Sequence, residues 1–324
     1  MALTALQLKA RARELGADLV GIASAAVLNA HPPDPRYPQT PARLSPEIRS
    51  CVAIVKRIPV AAFRAKSLAC VHHVDQLVLR EMDKVAYRIA RFLEEEGFYA
   101  FPLAAQETIW EMKNASYGYL STRHVAIEAG LGTLGLEVNL LTREFGPRCY
   151  TTAILTSAEL EPDQRIAEQL CIGEPCSRCL HSCPADAVRH WGLDKRACAT
   201  EAQEYGYATI LKTFTRFIEA PAPEQRLALL RGGKWRGIYQ GLLRVVGAFG
   251  DCPRCLAVCP VGDDYRYLVG SQKVIPEKTP EKVAQGKAFL QARRSGAEIA
   301  GLTEGRIRWV GEDGYRPPKA RKVT

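Results

Sequence analysis

Cys171-Ile-Gly-Glu-Pro-Cys176-Ser-Arg-Cys179-Leu-His-Ser-Cys183-Pro184 is the stretch that decides how this chain is read, and Cys252-Pro-Arg-Cys255-Leu-Ala-Val-Cys259-Pro260 repeats its ending further along. Both close on Cys-x3-Cys-Pro. Of eleven cysteines in 324 residues, eight fall between 171 and 259, Cys198 among them, whereas Cys51, Cys70 and Cys149 stand alone in apolar or mixed surroundings. The chain begins MALTALQLKARARELGADLVGIA, with charged residues where a secretion signal needs its apolar segment, and no run of eighteen apolar residues occurs. The expectation is a cytoplasmic protein with no membrane span. In that compartment clustered cysteines hold metal or carry redox chemistry in preference to structural disulfides.

Bacterial-type ferredoxins use C-x2-C-x2-C-x3-C-P, in which closely spaced thiolates grip one cubane cluster and the last cysteine reaches across to the other. The proline stops the loop from continuing as a helix. Zinc asks instead for two C-x2-C pairs closing one tetrahedron, and Cys176/Cys179 with Cys252/Cys255 offer them. That choice leaves four cysteines idle, whereas two [4Fe-4S] clusters use all eight. Crosswise ligation then groups Cys171, Cys176 and Cys179 with Cys259, and Cys183 with Cys198, Cys252 and Cys255. The usual spacing would put the first ligand at Gly173, so Cys171 has to reach from two residues further back. His181, between Cys179 and Cys183, could replace a thiolate or hydrogen-bond a cluster sulfur.

A composition of 47% hydrophobic and 24% charged residues is that of a globular chain and excludes a disordered or repetitive one. The 44 Lys and Arg against 35 Asp and Glu leave +9, which suits a polyanionic or phosphate-bearing partner, although RGGKWRG around Lys234 and the closing KARKVT form no continuous stripe. Two clusters alone need only a short chain, so the residues before about 160 should carry the acceptor or substrate site. There the pattern predicts a helix over 4–15 with Leu6, Ala10 and Leu15 on one face, then strands in ADLVGIA and CVAIVKRI. A long amphipathic helix follows from about Val71 to Glu96, with Leu77, Val85, Ile89 and Phe92 toward a core, and strands in FYAFPL, VNLLT and CYTTAILTS complete the half. The fold class is α/β (α+β): a cofactor-binding domain over 1–160, a ferredoxin-like two-cluster domain over 161–275 and a basic extension over 276–324. The turn AGLGTLG, with Gly130, Gly132 and Gly135, lies between a helix and a strand, the wrong order and spacing for a dinucleotide fingerprint. It suits either the close approach of a bulky cofactor or a helix stop followed by a tight turn. Solitary Cys149 reads as a buried packing residue.

In their order along the chain, AGLGTLG, then LLTREFGPR from Leu140 to Arg148, AILTSAEL from Ala153, and the two cysteine patterns with DKRAC between them resemble epoxyqueuosine reductase and the cobalamin-dependent reductive dehalogenases. The likeness runs over roughly residues 4–270. It implies a nitroreductase-like domain that holds a corrinoid (cobalamin) base-off, with electrons delivered to its cobalt by the cluster module. It also puts Gly130, Gly132 and Gly135 against the corrin face and Arg148 on a propionamide or phosphate. Epoxyqueuosine reductases carry a catalytic aspartate in a Val-Asp-Ser-Ala-Pro stretch, and this chain has Ser116 in that place. Dehalogenases use a tyrosine assisted by a basic residue, which Tyr117, Tyr119, Arg123 and His124 could supply, unless the tyrosines simply pack. The implied activity is a corrinoid-dependent reductase that cleaves a carbon–heteroatom bond, as in dehalogenation or epoxide reduction. Alternatives are an activator that reduces a partner's corrinoid and a tRNA-modifying enzyme. Implied partners are a low-potential ferredoxin or flavodoxin, a small organic substrate or modified nucleoside, and tRNA, with no membrane.

Overall fold

The first half contains the helices Ala5–Glu14 (α1), Ala25–Ala30 (α2), Leu68–Glu95 (α3) and Thr122–Glu128 (α4). Its strands are Leu19–Ser24 (β1), Ser50–Arg57 (β2), Ala100–Pro102 (β3), the short pair Thr133–Leu134 (β4) and Leu140–Leu141 (β5), and Cys149–Thr156 (β6). The computed structural model describes residues 3–33, 38–65, 68–105, 118–244, 252–269, 280–295 and 307–309. Four strands form one sheet in the order β1-β2-β6-β3, every neighbouring pair antiparallel. β2 is apolar for five residues in a row because helices cover both faces of the sheet. Val52 and Ile54 join Ile22 and Ile154 beneath α1 and α3, while Cys51, Ala53 and Val55 point the other way, with Ala153 and Leu155 beneath α2 and α4. The two-residue period of a strand makes that division.

Four of the five expected strands form this sheet, VNLLT is instead the short β5 paired with β4 in a sheet of two, and two helix faces need correction. In α1 the buried stripe is Leu8 and Ala12, whereas Leu6 is 74% exposed. In α3, Val85 and Ile89 are fully buried as expected, but Leu77 is 51% exposed and the stripe runs through Val78, Met82 and Leu93 instead. A capping box between Thr4 and Gln7 starts α1. β1 is an outer strand, and its free edge is answered by Asp163: the Ile22 amide donates to Oδ2 at 2.9 Å, and the Asp163 amide donates to the Ile22 carbonyl at 2.8 Å. Lys9 holds the same carboxylate at 2.7 Å. An open edge is thereby closed by the outgoing chain.

The cysteine-rich half is built from short pieces: Arg178–Ser182 (α5), the hairpin Val188–Arg189 (β7) and Gly192–Asp194 (β8), and Lys195–Ala202 (α6), whose first amides the Asp194 side chain caps. Three helices follow, Tyr207–Glu219 (α7), Pro223–Arg231 (α8) and Gly233–Arg244 (α9), then Pro253–Val258 (α10). The extension supplies Pro280–Ser295 (α11) and Ile307–Trp309 (β9), and β9 pairs antiparallel with β8. A strand of the basic extension is therefore part of the cysteine-rich region's sheet. No helix among the described residues is long and apolar enough to cross a membrane.

Candidate functional site

α5 and α10 pack against each other, each carried by a Cys-x3-Cys-Pro segment. The prolines shape both ends alike. A residue before proline is pushed out of the helical region, and Cys183 (φ −76°, ψ 113°) and Cys259 (φ −70°, ψ 121°) are both extended, which turns the last thiol of each run off its helix. Burial raises the Cys179 thiol well above its ordinary range, and Glu137 and the thiols of Cys255, Cys259 and Cys171 add to the shift. Cys259 is raised in the same way, by burial and then by Glu137 and Cys171. Burial pushes Cys171 up to about 12, with Glu137 and Cys176 contributing. Cys252 is raised by burial, with Cys183 and Glu201 adding. The last cysteine of the second pattern thus sits among thiols of the first, and Cys183 of the first sits beside Cys252 of the second. Cys198, on α6, is half-buried.

Among the described residues no three His, Cys, Asp or Glu side chains converge on a point that could hold one metal ion. Four sulfurs around one zinc stand about 3.8 Å apart, given a Zn–S bond of about 2.3 Å. In a cubane each thiolate binds a different iron, so its ligands stand wider. Cys171 belongs to this neighbourhood despite its displaced position: its sulfur accepts from the Gly173 amide at 3.4 Å, and it packs on the small core of Leu136, Cys179, Leu180, Val188 and Trp191.

Leu136 comes from the glycine turn, so the turn plugs directly into the first cysteine loop. The turn is tight: the Val138 amide donates to the Gly135 carbonyl at 2.8 Å, and the Gly135 amide donates to Asn139 at 2.8 Å. Val138 is β-branched yet has φ of 69°, a strained geometry, and Arg123 Nη1 donates to its carbonyl at 2.9 Å. Between Leu136 and Val138, Glu137 is buried, and among the described residues its Oε1 has no hydrogen-bond partner. Burial pushes its carboxyl up to about 7, against the pull of its own amide, Cys179, Arg123 and Arg148. Sequence reasoning passed over Leu136 and Glu137. The signal was an apolar–acidic pair inside a glycine turn, where an exposed loop would carry polar residues.

The glycines and Arg148, expected to meet a corrinoid, make these contacts within the chain. A Cβ on Gly130 would meet the Gln164 carbonyl, one on Gly132 the Leu141 carbonyl, and one on Gly135 the Glu137 carboxylate. Backbone carbonyls exclude a side chain at Gly130 and Gly132, while at Gly135 only the end of the Glu137 side chain stands in the way, and Gly130 (φ 70°) also ends α4. Arg148 is fully buried, and its five N–H donors are all engaged: Nε and Nη2 on Asp264, Nη1 on the Leu256 and Cys259 carbonyls, Nη2 also on the Val261 carbonyl. No donor is left for a propionamide or phosphate. Arg148 instead ties the first residues before β6 to the second cysteine loop, and Gly146 faces Gly262 across the same junction. Beside it the Cys149 thiol donates to the Gly146 carbonyl at 3.7 Å and is pushed up to about 12 by burial, as suits a packing residue.

Of the four catalytic candidates, Tyr117 lies outside the described residues, as does Ser116. Tyr119 is exposed. Arg123 is spent at least partly on Val138, and His124 is buried in α4 with Nε2 2.9 Å from the His31 carbonyl. Burial lowers His124 to about 4, with Arg165 and His31 pulling the same way, so near neutral pH the ring is uncharged and Nε2–H donates to that carbonyl. His124 therefore offers no cation to a phenolate. A cavity of about 590 Å³ opens elsewhere, between Asp18, Arg57 and Arg64 on one side and Tyr267 on the other.

No family model matches the chain. Over 112 residues it is 34% identical to tetrachloroethene reductive dehalogenase of Desulfitobacterium hafniense, covering 34% of this chain and 18% of that protein. Over 82 residues it is 37% identical to epoxyqueuosine reductase of Bacillus cereus, covering 25% of this chain and 21% of that protein. Over these segments the chain is similar to members of both families. A crystal structure of epoxyqueuosine reductase with an epoxyqueuosine-modified tRNA stem loop superposes with a TM-score of 0.50 at 19% identity, covering 86% of this chain and 68% of that one. A reductive dehalogenase whose structure suggests a mechanism for B12-dependent dehalogenation gives 0.52 at 17% identity, covering 86% and 42%. At these identities the likeness establishes a shared mixed helix-and-sheet fold. The matched segments span about a fifth of the curated relatives' length.

Proposed function

We propose that the chain is a cytoplasmic iron-sulfur reductase of the corrinoid-dependent kind, which cleaves a carbon–heteroatom bond with electrons that reach the site through two [4Fe-4S] clusters. The observation that carries this reading is the packing of α5 on α10, which brings the two cysteine patterns together, with Cys255 and Cys259 near Cys179 and Cys183 near Cys252. Cys171, Cys176, Cys179 and Cys259 would hold one cluster and Cys183, Cys198, Cys252 and Cys255 the other, within a ferredoxin-like domain over 161–275 that follows a nitroreductase-like domain over 1–160. Bound clusters supply single low-potential electrons. The protein's part is to keep the first of them dry beneath Leu136 and Trp191, to set the buried Glu137 beside it, and to fix the second loop to the sheet through Arg148. Exclusion of water strengthens every charge interaction there.

Of the residues named for the corrinoid, Arg148 has no free donor and does not fit the role, while the missing Cβ positions of the glycines face the chain itself. The cofactor remains an implication of the relatives, and no step is derived through it. A second reading, an activator that reduces a partner's corrinoid, is favoured by the neutral His124 and by Ser116 standing where an acid is expected. A tRNA-modifying role follows from the tRNA-bound relative and predicts polyanion binding that weakens steeply with salt. Iron, sulfide, zinc and cobalt content of the chain, purified without oxygen after expression with cobalamin, separates these readings. About eight iron and one cobalt are expected of the reductase. Eight iron without cobalt selects the activator, and zinc in place of iron removes both.

A further inference from the structure

α7, α8 and α9 form a three-helix insert between Cys198 and Cys252, both assigned above to the second cluster. Its apolar residues are on the wrong side for a core. α7 is strongly two-faced, with Tyr207, Leu211, Phe214 and Ile218 at the spacing of one helical face, yet no residue of α7 or α8 is buried. Leu211 is 54% exposed and Ile218 73%, and Leu242 and Leu243 on α9 are exposed as well. Trp235 of α9 meets Phe214 edge-on at 5.8 Å, so the two helices present their apolar residues next to one another. Around them the surface is basic: residues 207–244 hold seven lysines and arginines, all exposed, against two glutamates, more than half of the chain's net +9. An apolar patch of this kind on a soluble surface marks a contact site.

We propose that this insert is the docking surface for the electron donor, a small acidic one-electron carrier protein of the flavodoxin or ferredoxin class. The assignment rests on the two-cluster reading. Charge and position choose the occupant. An acidic carrier matches the basic side chains of the insert, which in sequence lies between Cys198 and Cys252. The small apolar centre with a charged rim suits weak electron-transfer encounters, which bury less area than stable complexes and depend on charge steering. On docking the donor's reduced flavin or iron centre loses one electron, the group held by Cys183, Cys198, Cys252 and Cys255 gains it, and no bond is made or broken.

The test uses the full chain, purified without oxygen, and an acidic flavodoxin as probe. Affinity is measured by calorimetry at low and at physiological salt, and cluster bleaching is followed by stopped flow with flavodoxin hydroquinone and, separately, with dithionite. The variants are K212E/R216E and L211S/I218S, at exposed positions that leave the clusters in place. Expected are a Kd that weakens about tenfold or more in each variant and again with salt, a matching slowing with flavodoxin, and dithionite bleaching unchanged. Wild-type binding that is absent or indifferent to salt, or variants that bind and accept electrons like the wild type, would overturn the proposal. So would wild-type binding to vesicles with phosphatidylglycerol headgroups that the variants lose while flavodoxin reduction stays unchanged, since the patch would then be a lipid-facing one. Failure of dithionite to bleach any cluster would instead strike the two-cluster reading itself.

Discussion

The sheet region and the cysteine-rich region are held together by different physics. Two large apolar clusters lie on either face of the β1-β2-β6-β3 sheet, with α1 and α3 over one and α2 and α4 over the other. Among the described residues the cysteine-rich region has one small apolar cluster, five buried residues of which Cys179 is one and Leu136 is borrowed from the glycine turn. A core that small does not offset the ordering of so many short helices and turns. Cluster ligation has to supply the difference, much as structural metal does in small domains.

The largest effect should therefore come from removing iron. Chelated protein is expected to be cut by trypsin between residues 171 and 269 while a fragment carrying the sheet survives; equal resistance of both regions would break the contrast. Next in size is Arg148→Met, which leaves Asp264 and three carbonyls at the junction without their donor. A loss of about 3–5 kcal/mol in urea unfolding is expected from uncompensated burial of one partner. Leu8→Ala, beneath the sheet, should cost roughly 2–4 kcal/mol and leave iron content unchanged, because its neighbours are all in the sheet region.

A smaller effect separates the regions by pH. His124 is held near 4 in the folded chain against 6.5 when free, so the unfolded state binds more protons between those values and stability rises with pH there. The contribution is present above pH 6.5 and lost as pH falls toward 4. Between pH 7 and 5 the wild type should lose on the order of 2 kcal/mol more than His124→Gln; parallel pH profiles for the two proteins would contradict the buried neutral ring. Smallest of all is Leu6→Ser, which should change stability by less than about 0.5 kcal/mol because Leu6 faces solvent.

What the sequence made legible follows the same division. β1, β2, α3 and β6 could be read because their apolar runs answer to faces of one sheet. The face of α1 could not. Ala5, Leu6, Leu8, Ala10, Ala12 and Leu15 offer two apolar stripes, and only the sheet selects Leu8 and Ala12. The extended turn at the last cysteine of each pattern was legible because the proline that follows dictates it. The spacing of Gly130, Gly132 and Gly135 does not say whether the missing side chain makes room for a ligand or for the chain itself, and the structure puts chain atoms at each missing Cβ. The role of Arg148 was not legible because its partner Asp264 is 116 residues away, beyond any local pattern.

The central claim is that the two cysteine patterns exchange their last ligands, and counting iron in paired substitutions tests it most directly. The account predicts that Cys179→Ser and Cys259→Ser each retain about four iron and that the double variant also retains about four, since both thiols serve one cluster. Cys259→Ser combined with Cys183→Ser should retain almost none. If the Cys179/Cys259 double variant loses all its iron while the Cys183/Cys179 pair keeps about four, each pattern holds its own cluster and the crosswise account is wrong.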